Sequence, residues 1–276
     1  MIDLHCHSIY SDGALMPEEL LAKASQSGLK MLALTDHDTV EGSKLLIAGA
    51  SRYPGLRIVG GIELSVRWKK HDIHILGLNI NTEEASISDL ISQQVQSRKT
   101  RAMQIADCMA LLGIDNAFDK ACAIAGHDHI ARPHFAQLLI NEGKVKDMQT
   151  AFKRFLARGK PAYVPTQWIS LADAVNGIAA AGGSAVIAHP LKYGLTRTRL
   201  TELIIEFKSY GGCGIEVVSG EMTEQQVVDM AGLCNRFDLS ASTGSDFHND
   251  NVSRISLGRQ RKLPLNCKPV WEQWNT

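Results

Sequence analysis

The chain has 276 residues, with 29 Lys plus Arg and 29 Asp plus Glu, so its formal net charge at pH 7 is zero. That length suits one large α/β domain or such a domain carrying an insertion, and the charge balance excludes the broad positive field of a protein held on long duplex DNA. The 6 cysteines include no C-x-x-C pair, no signal-like segment opens the chain, and no apolar run approaches the roughly 20 residues needed to cross a bilayer, which points to reduced thiols in a cytoplasmic protein away from membranes.

In chain order, Ile2 to His7 reads as a strand. The helix after it starts at Pro17, carries Glu18 and Glu19 in its first turn, turns Leu20, Leu21 and Ala24 to one side, and ends at Gly28. A second strand, Met31 to Leu34, delivers Thr35-Asp36-His37-Asp38, and a helix over Glu41 to Tyr53 is closed by Pro54-Gly55. Leu56 to Ile62 reads as a third strand with Glu63 at its end. Asp72 to Leu78 reads as a fourth, with Asp72 and His74 on one face. This β-α-β-α rhythm implies parallel strands joined by right-handed crossovers, whose C-terminal ends gather on one face of a barrel.

The rhythm breaks over residues 82–160, which are polar with helical spacing and read as a helical insertion. Val95, Ala102, Ile105, Met109 and Leu112 mark one face of its first helix. Arg98, Lys99 and Arg101 fall opposite and read as a solvated face or a phosphate-attracting patch. The α/β pattern resumes over 161–276. Helices are expected at Leu171 to Ala181, Arg199 to Tyr210 and Glu224 to Phe237. Strands are expected at Ser184 to Ala188, leading to His189-Pro190, at Ile215 to Val218, and at Ser240 to Thr243, leading to Asp246 and His248. Trp271 and Trp274 are expected to pack back on the body.

Collecting the side chains at these strand ends gives His5, His7, Asp12, His37, Glu63, His74, His189, Asp246 and His248. A lone histidine is ordinarily a satisfied core or surface residue, but so many nitrogen and oxygen donors at strand ends suit two or three divalent ions, Zn, Mn or Fe. Ions sharing a bridging carboxylate, as Glu63 could be, activate water for in-line displacement at phosphorus.

The segments His5-Cys6-His7-Ser8 with Ser11-Asp12-Gly13, Thr35-Asp36-His37, Gly61-Ile62-Glu63, His74-Ile75-Leu76-Gly77, Ala188-His189-Pro190 and Gly244-Ser245-Asp246-Phe247-His248 resemble, in order, the motif series of the PHP (polymerase and histidinol phosphatase) family. The resemblance implies a distorted seven-stranded TIM-like (β/α) barrel. It implies one ion on His5, His7, Glu63 and Asp246, a second on Glu63, His74 and His189, and a third on Asp12, His37 and His248. Asp36 would orient a histidine or shuttle a proton beside the ligands, and Asp246 would serve catalysis as well.

Within the family, the insertion and Ala131-Arg132-Pro133-His134-Phe135-Ala136 are similar to the nucleoside 3',5'-bisphosphate phosphatase branch. This similarity implies that Arg132 and His134, with Lys192 as a further candidate, grip phosphate and that the insertion caps the substrate. His127 and His129 form a second H-x-H read as structural or substrate-facing, and His71 as solvent-exposed. The expected activity is release of the 3'-phosphate to leave a nucleoside 5'-monophosphate. Open alternatives are a 5'-3' exonuclease on short RNA, a histidinol phosphate phosphatase, and a non-catalytic metal-dependent regulatory module. A Zn amidohydrolase is disfavoured because no lysine stands at a strand end as a bridging group.

Overall fold

A computed structural model describes residues 1–127, 130–251 and 253–274. The chain divides into two compact units, Met1–Ile91 with Ile169–Thr276 and Ser92–Trp168.

The first unit begins with β1 (Ile2–Asp3), α1 (Pro17–Gln26), β2 (Met31–Ala33), α2 (Glu41–Gly49), β3 (Arg57–Val59), β4 (Gly61–Trp68) and β5 (His71–Leu78). The long helix α3 (Ala85–Leu111) runs on into the second unit, which adds α4 (Ala117–Ala125), α5 (Arg132–Asn141) and α6 (Met148–Ala151). The first unit then resumes with β6 (Ile169–Ser170), α7 (Leu171–Ala180), β7 (Ser184–Ile187), α8 (Arg197–Ser209), β8 (Gly214–Ser219), α9 (Glu224–Arg236) and β9 (Ser240–Gly244).

Helix starts follow local chemistry. Pro17 opens α1 while the Met16 N–H donates to Glu19, and the Ser170 and Thr223 hydroxyls accept from the third residues of α7 and α9.

The strands form two sheets. One is parallel, in the order β1-β2-β3; the other runs β6-β4-β5-β7-β8-β9. In the second, β5 is antiparallel to both its neighbours, β4 and β7, which corrects the all-parallel expectation. Only Lys69 and Lys70 separate β4 from β5, with Lys69 at φ 52°. A two-residue turn makes a hairpin and leaves no length for a crossover helix.

The strand expected over Leu56 to Ile62 is likewise two strands in different sheets. The break falls at Gly60, whose carbonyl accepts from Ile80 N; a Cβ there would lie 2.4 Å from the Ile80 carbonyl oxygen. Glu63 is therefore the third residue of β4 and not a residue past a strand end. The two-residue β6 had no sequence signal.

Among the described residues no ladder closes on itself, but isolated bridges Cys6–Phe247 and His37–Glu63 tie the two sheets together beyond the named strands. The main apolar cluster packs Trp68, Ile73, Ile75, Ile178, Ile187, Phe207 and Val217 between the larger sheet and its helices. Trp274 is buried with its indole N–H on Ser184 Oγ at 2.9 Å, and Trp271 packs beside it, as the sequence predicts. All six cysteines are free thiols. Among the described residues no helix is long and apolar enough to cross a membrane.

The helical unit has its own core around Ala102, Ile105, Met109, Phe135 and Leu139, with Leu112 packed against it. Val95 departs from the expected face and is 41 % exposed. Arg98 and Arg101 also depart: both are buried, with their guanidinium carbons each 4.9 Å from the centroid of the Trp168 ring, while Lys99 is exposed. A cation over an indole face is favoured by the ring quadrupole, and no period of three or four residues can announce a tryptophan seventy positions away.

Trp68 is fully buried and its indole donates to Glu206 at 2.8 Å. Trp68→Ala is expected to lower stability by about 3–5 kcal/mol, read as a shift of the urea midpoint at unchanged m-value; a loss below about 1 kcal/mol would place the core elsewhere.

Candidate metal centre

The chain reaches this site through backbone hydrogen bonds just past the strand ends. Thr35 N donates to Cys6 O, Glu63 N to Asp36 O, His7 N to Phe247 O, Asp246 N to His5 O, and Ala188 N to His74 O. These bonds hold the segments after β1, β2 and β9 and the strands β4, β5 and β7 in register, so alternate side chains converge. His189, Asp246 and Asp38 take positive φ of 24°, 52° and 53° without being glycine. Such strain persists where surrounding contacts over-determine the backbone.

All nine strand-end side chains foreseen in the sequence come together. Glu63 is fully buried at their centre. Its Oε2 lies 3.2 Å from His5 Nε2, 3.3 Å from His7 Nε2 and 3.2 Å from His37 Nδ1, and its Oε1 lies 2.9 Å from both His74 Nδ1 and His189 Nε2. Asp246 Oδ1 stands 3.4 Å from His5 Nε2 and 3.3 Å from His7 Nε2. Asp12 is 3.3 Å from His248, 3.7 Å from His7 and 3.9 Å from His37.

Ligand atoms fall into four overlapping groups, each within 4.8 Å: His5, His7 and Asp246; His5, Glu63 and His189; His37, Glu63 and His74; and His7, Asp12, His37 and His248. Two features fit cations among them. The donors are all nitrogen and oxygen, since the Cys6 thiol turns away to Ala33 O. In addition, imidazole nitrogens face one another, His5 Nε2 to His7 Nε2 at 3.2 Å and His74 Nδ1 to His189 Nε2 at 3.3 Å. Two lone pairs converge that closely only over a shared proton or a cation.

The charges are divided. Burial opposes ionisation of Glu63, but the imidazoles of His37, His5 and His74 outweigh it and hold the carboxyl well below its ordinary range. Burial likewise raises Asp12 and Asp246, and it is outweighed by His248 and His37 for the first and by His5 and His7 for the second. His7 is pulled down by burial, then carried up to about 10 by hydrogen bonds to Asp246 and Glu63. His5 is raised against its burial by Glu216, Glu63 and Asp246. Burial prevails at His37, lowered to about 3, and at His189, also lowered.

Several supports are structural. The Asp36 carboxylate accepts from Ser8 N at 2.7 Å, Ser8 Oγ at 2.6 Å and Ser11 Oγ at 2.7 Å, so both its oxygens fasten the loop that carries Asp12. Burial raises its pKa, and these bonds and His7 only partly offset that. Asp3 joins the two ends of the unit by accepting from Ser245 N and Gly258 N.

Sequence reasoning missed Glu216. It is fully buried on β8, with Oε1 3.0 Å from His5 Nδ1 and Oε2 accepting from His189 N at 2.5 Å. The signal was one acid inside the apolar run Ile215-Glu216-Val217-Val218, because a buried carboxylate needs a partner.

The residues foreseen for phosphate lie in different settings. Lys192 follows the His189-Pro190 turn, is 57 % exposed, and ion-pairs with Asp246. Arg132 and His134 belong to the helical unit, where Arg132 is the first residue of α5 and His134 Nδ1 accepts from Ala131 N at 3.0 Å. His134 thus caps its helix, and its ring meets that of His127 edge-on. A cation at a helix start is opposed by the macrodipole, so capping does not explain Arg132. His129 lies outside the described residues. His71 is half-buried with its ring 6.0 Å from that of Trp68, in place of the exposed position expected.

Known proteins resemble this chain along nearly its whole length. Over 273 residues it is 41 % identical to the 3',5'-nucleoside bisphosphate phosphatase of Chromobacterium violaceum, covering 99 % of this chain and 95 % of that one. It is 40 % identical over 272 residues to a 5'-3' exoribonuclease of Haemophilus influenzae, covering 99 % and 98 %. The solved structure of a Chromobacterium violaceum amidohydrolase with bound sulfate superposes with a TM-score of 0.91 at 42 % identity, covering 98 % of this chain and 94 % of that one. The PHP domain profile matches residues 3–158, more than half the sequence, and with these full-length relatives it makes the chain a member of the PHP domain family.

Proposed function

We propose that the protein is a metal-dependent phosphomonoesterase that removes the 3'-phosphate of nucleoside 3',5'-bisphosphates and leaves the nucleoside 5'-monophosphate. The observation that carries this reading is the set of four overlapping donor groups meeting on one buried carboxylate, Glu63. His5, His7, Glu63 and Asp246 would hold one ion, Glu63, His74 and His189 a second, and Asp12, His37 and His248 a third, with Mn foremost. When bound, such ions supply Lewis acidity toward a phosphate and toward water. In the same reading, the two sheets act as one distorted barrel of seven strands (β1, β2, β4, β5, β7, β8 and β9), joined at the Cys6–Phe247 and His37–Glu63 bridges.

The chain's own residues would do the rest. Arg132 gives the planar two-point grip on the remaining phosphate that lysine lacks, supported by His134. Lys192 neutralises Asp246 until phosphate arrives and then turns to it. Asp36 would keep the Asp12 loop rigid through Ser8 and Ser11, and those bonds to both its oxygens favour a positioning role over proton transfer.

A second reading, 5'-3' trimming of short RNA, is favoured by the distribution of charge. Residues 92–168 hold 11 Lys plus Arg against 6 Asp plus Glu, a net of +5, so the remainder carries −5. Lys144, Lys146, Lys153, Arg154, Arg158 and Lys160 are all exposed there, with Asp147 the one carboxylate in that segment. The same unit has a recess of about 560 Å³ lined by Gln96, Ser97, Arg101, Gln104 and Thr166.

Three outcomes are expected. With Mn added, phosphate release from a nucleotide panel favours the 3',5'-bisphosphate. Asp246→Ala lowers its kcat/KM by at least about 100-fold, and Arg132→Ala erases the preference over the 3'-monophosphate, costing roughly 10–100-fold in kcat/KM. Equal rates on all monophosphates and bisphosphates would sink the substrate assignment.

Metal binding should also release protons, because the His5–His7 pair, both raised and His7 to about 10, holds a proton between its facing nitrogens that ligands must shed. Mn affinity should therefore rise with pH from about 6.5 toward 10. Calorimetry in buffers of different ionisation enthalpy reads the release, and zero protons at pH 7 would contradict the ligand set.

If RNA is also a substrate, kcat/KM for a short oligonucleotide should fall with salt more steeply than for the bisphosphate. Parallel salt slopes would confine the activity to mononucleotides.

A further inference from the structure

We infer that Glu216 is the positioning residue of this centre: one carboxylate fixes the ring orientation of His5 and the backbone turn of His189, and so sets the geometry of two donor groups together. The inference rests on reading His5 and His189 as ligands.

A carboxylate only accepts. With Glu216 Oε1 3.0 Å from His5 Nδ1, that nitrogen must carry the proton, and in the neutral ring the lone pair is left on Nε2. Nε2 is the atom that faces His7 Nε2, Glu63 and Asp246 at 3.2, 3.2 and 3.4 Å. The other oxygen takes the His189 N–H at 2.5 Å, at a residue whose φ is +24°. A histidine rarely holds that backbone unaided, and the bond lies where the chain leaves β7 and turns its ring toward Glu63.

Two features of the sequence make room for the arrangement. The ladder between β8 and β9 shifts register between Glu216 and Val218, and such an irregularity re-aims the side chain beside it. On β9, two residues past Ser242, the partner of Glu216, stands Gly244, where a Cβ would lie 2.3 Å from His5 Cβ and 3.0 Å from Glu216 Oε1. No side chain fits between the two residues.

Glu216→Gln is the discriminating variant, because glutamine matches the volume but offers one accepting and one donating end. If its oxygen keeps the His189 N–H, its amide points at His5 Nδ1 and drives the ring proton onto Nε2, the nitrogen facing the other donors. If its oxygen keeps His5, two donors oppose each other at His189. Either way one of the two functions is lost without a cavity. Glu216→Asp keeps an accept-only carboxylate on a shorter stem.

The readouts are Mn affinity, followed as free Mn by electron paramagnetic resonance, the urea midpoint of the metal-free protein, and the imidazole 15N resonances of the Zn-loaded, labelled protein. Glu216→Gln is expected to weaken Mn binding by about 10–100-fold while the metal-free protein still folds, with a lowered urea midpoint. Glu216→Asp should lose less, and wild-type His5 should show a protonated Nδ1. Unchanged Mn affinity in Glu216→Gln overturns the proposal. So does an equal loss of metal-free stability and Mn affinity in both variants, which would make Glu216 merely structural. If neither variant folds, the wild-type spectrum decides, and a His5 ring protonated at Nε2 overturns it. No readout uses turnover, so the proposal and the phosphatase reading stand or fall separately.

Discussion

The structure of the first unit depends on a carboxylate with no solvent-exposed surface. Glu63 is fully buried and touches imidazole nitrogens of His5, His7, His37, His74 and His189 within 3.3 Å. Removing such a group from water is costly unless positive charge or donated hydrogen bonds replace the lost hydration. The five rings come from segments following β1, β2 and β7 and from β5 itself, so satisfying Glu63 requires those segments to be in register together. The bridge from Glu63 to His37 and the bond from Glu63 N to Asp36 O put its backbone under the same constraint as its side chain.

The positions of most of these side chains were legible in the sequence because polar residues at strand ends stand out against apolar strands. His5 and His7, Thr35-Asp36-His37, His189-Pro190 and Asp246 with His248 all announce themselves in this way, and all converge. What was illegible depends on partners distant in sequence. The division of Leu56 to Ile62 into β3 and β4 follows from an approach of the Ile80 backbone to Gly60, and the reversed β5 from a two-residue turn whose sequence, Lys69-Lys70, lacks the usual glycine or asparagine. Glu216 hid in an apolar run because its partners are the ring of His5 and the backbone of His189. Arg98 and Arg101 looked solvated because the ring they cover, Trp168, arrives from the far end of the helical unit.

A net charge of zero was a weaker constraint than it looked. It is a sum over two units of opposite sign, +5 for residues 92–168 and −5 for the remainder. Screening over roughly 8–10 Å at physiological ionic strength means that each surface is felt locally, before the charges of the whole chain cancel. The zero therefore still argues against a protein-wide grip on long duplexes, while leaving the helical unit a surface that attracts polyanions.

The charge on the imidazoles follows from where the carboxylates sit. His5 and His7 are each faced by Asp246 as well as Glu63, and both are raised; His37, partly buried, and His189, buried, stand beside other rings, and both are lowered. A proton held by the His5–His7 pair offsets the buried carboxylates Glu63 and Asp246, the electrostatic role that cations would perform when bound. Exchange of one for the other would change the charge carrier. Asp36 on its serines, Asp3 across the chain ends and Glu216 behind His5 hold the backbone through acceptors that face away from the exchange. The centre thus gathers nine donors, with rigidity in the supporting carboxylates around them.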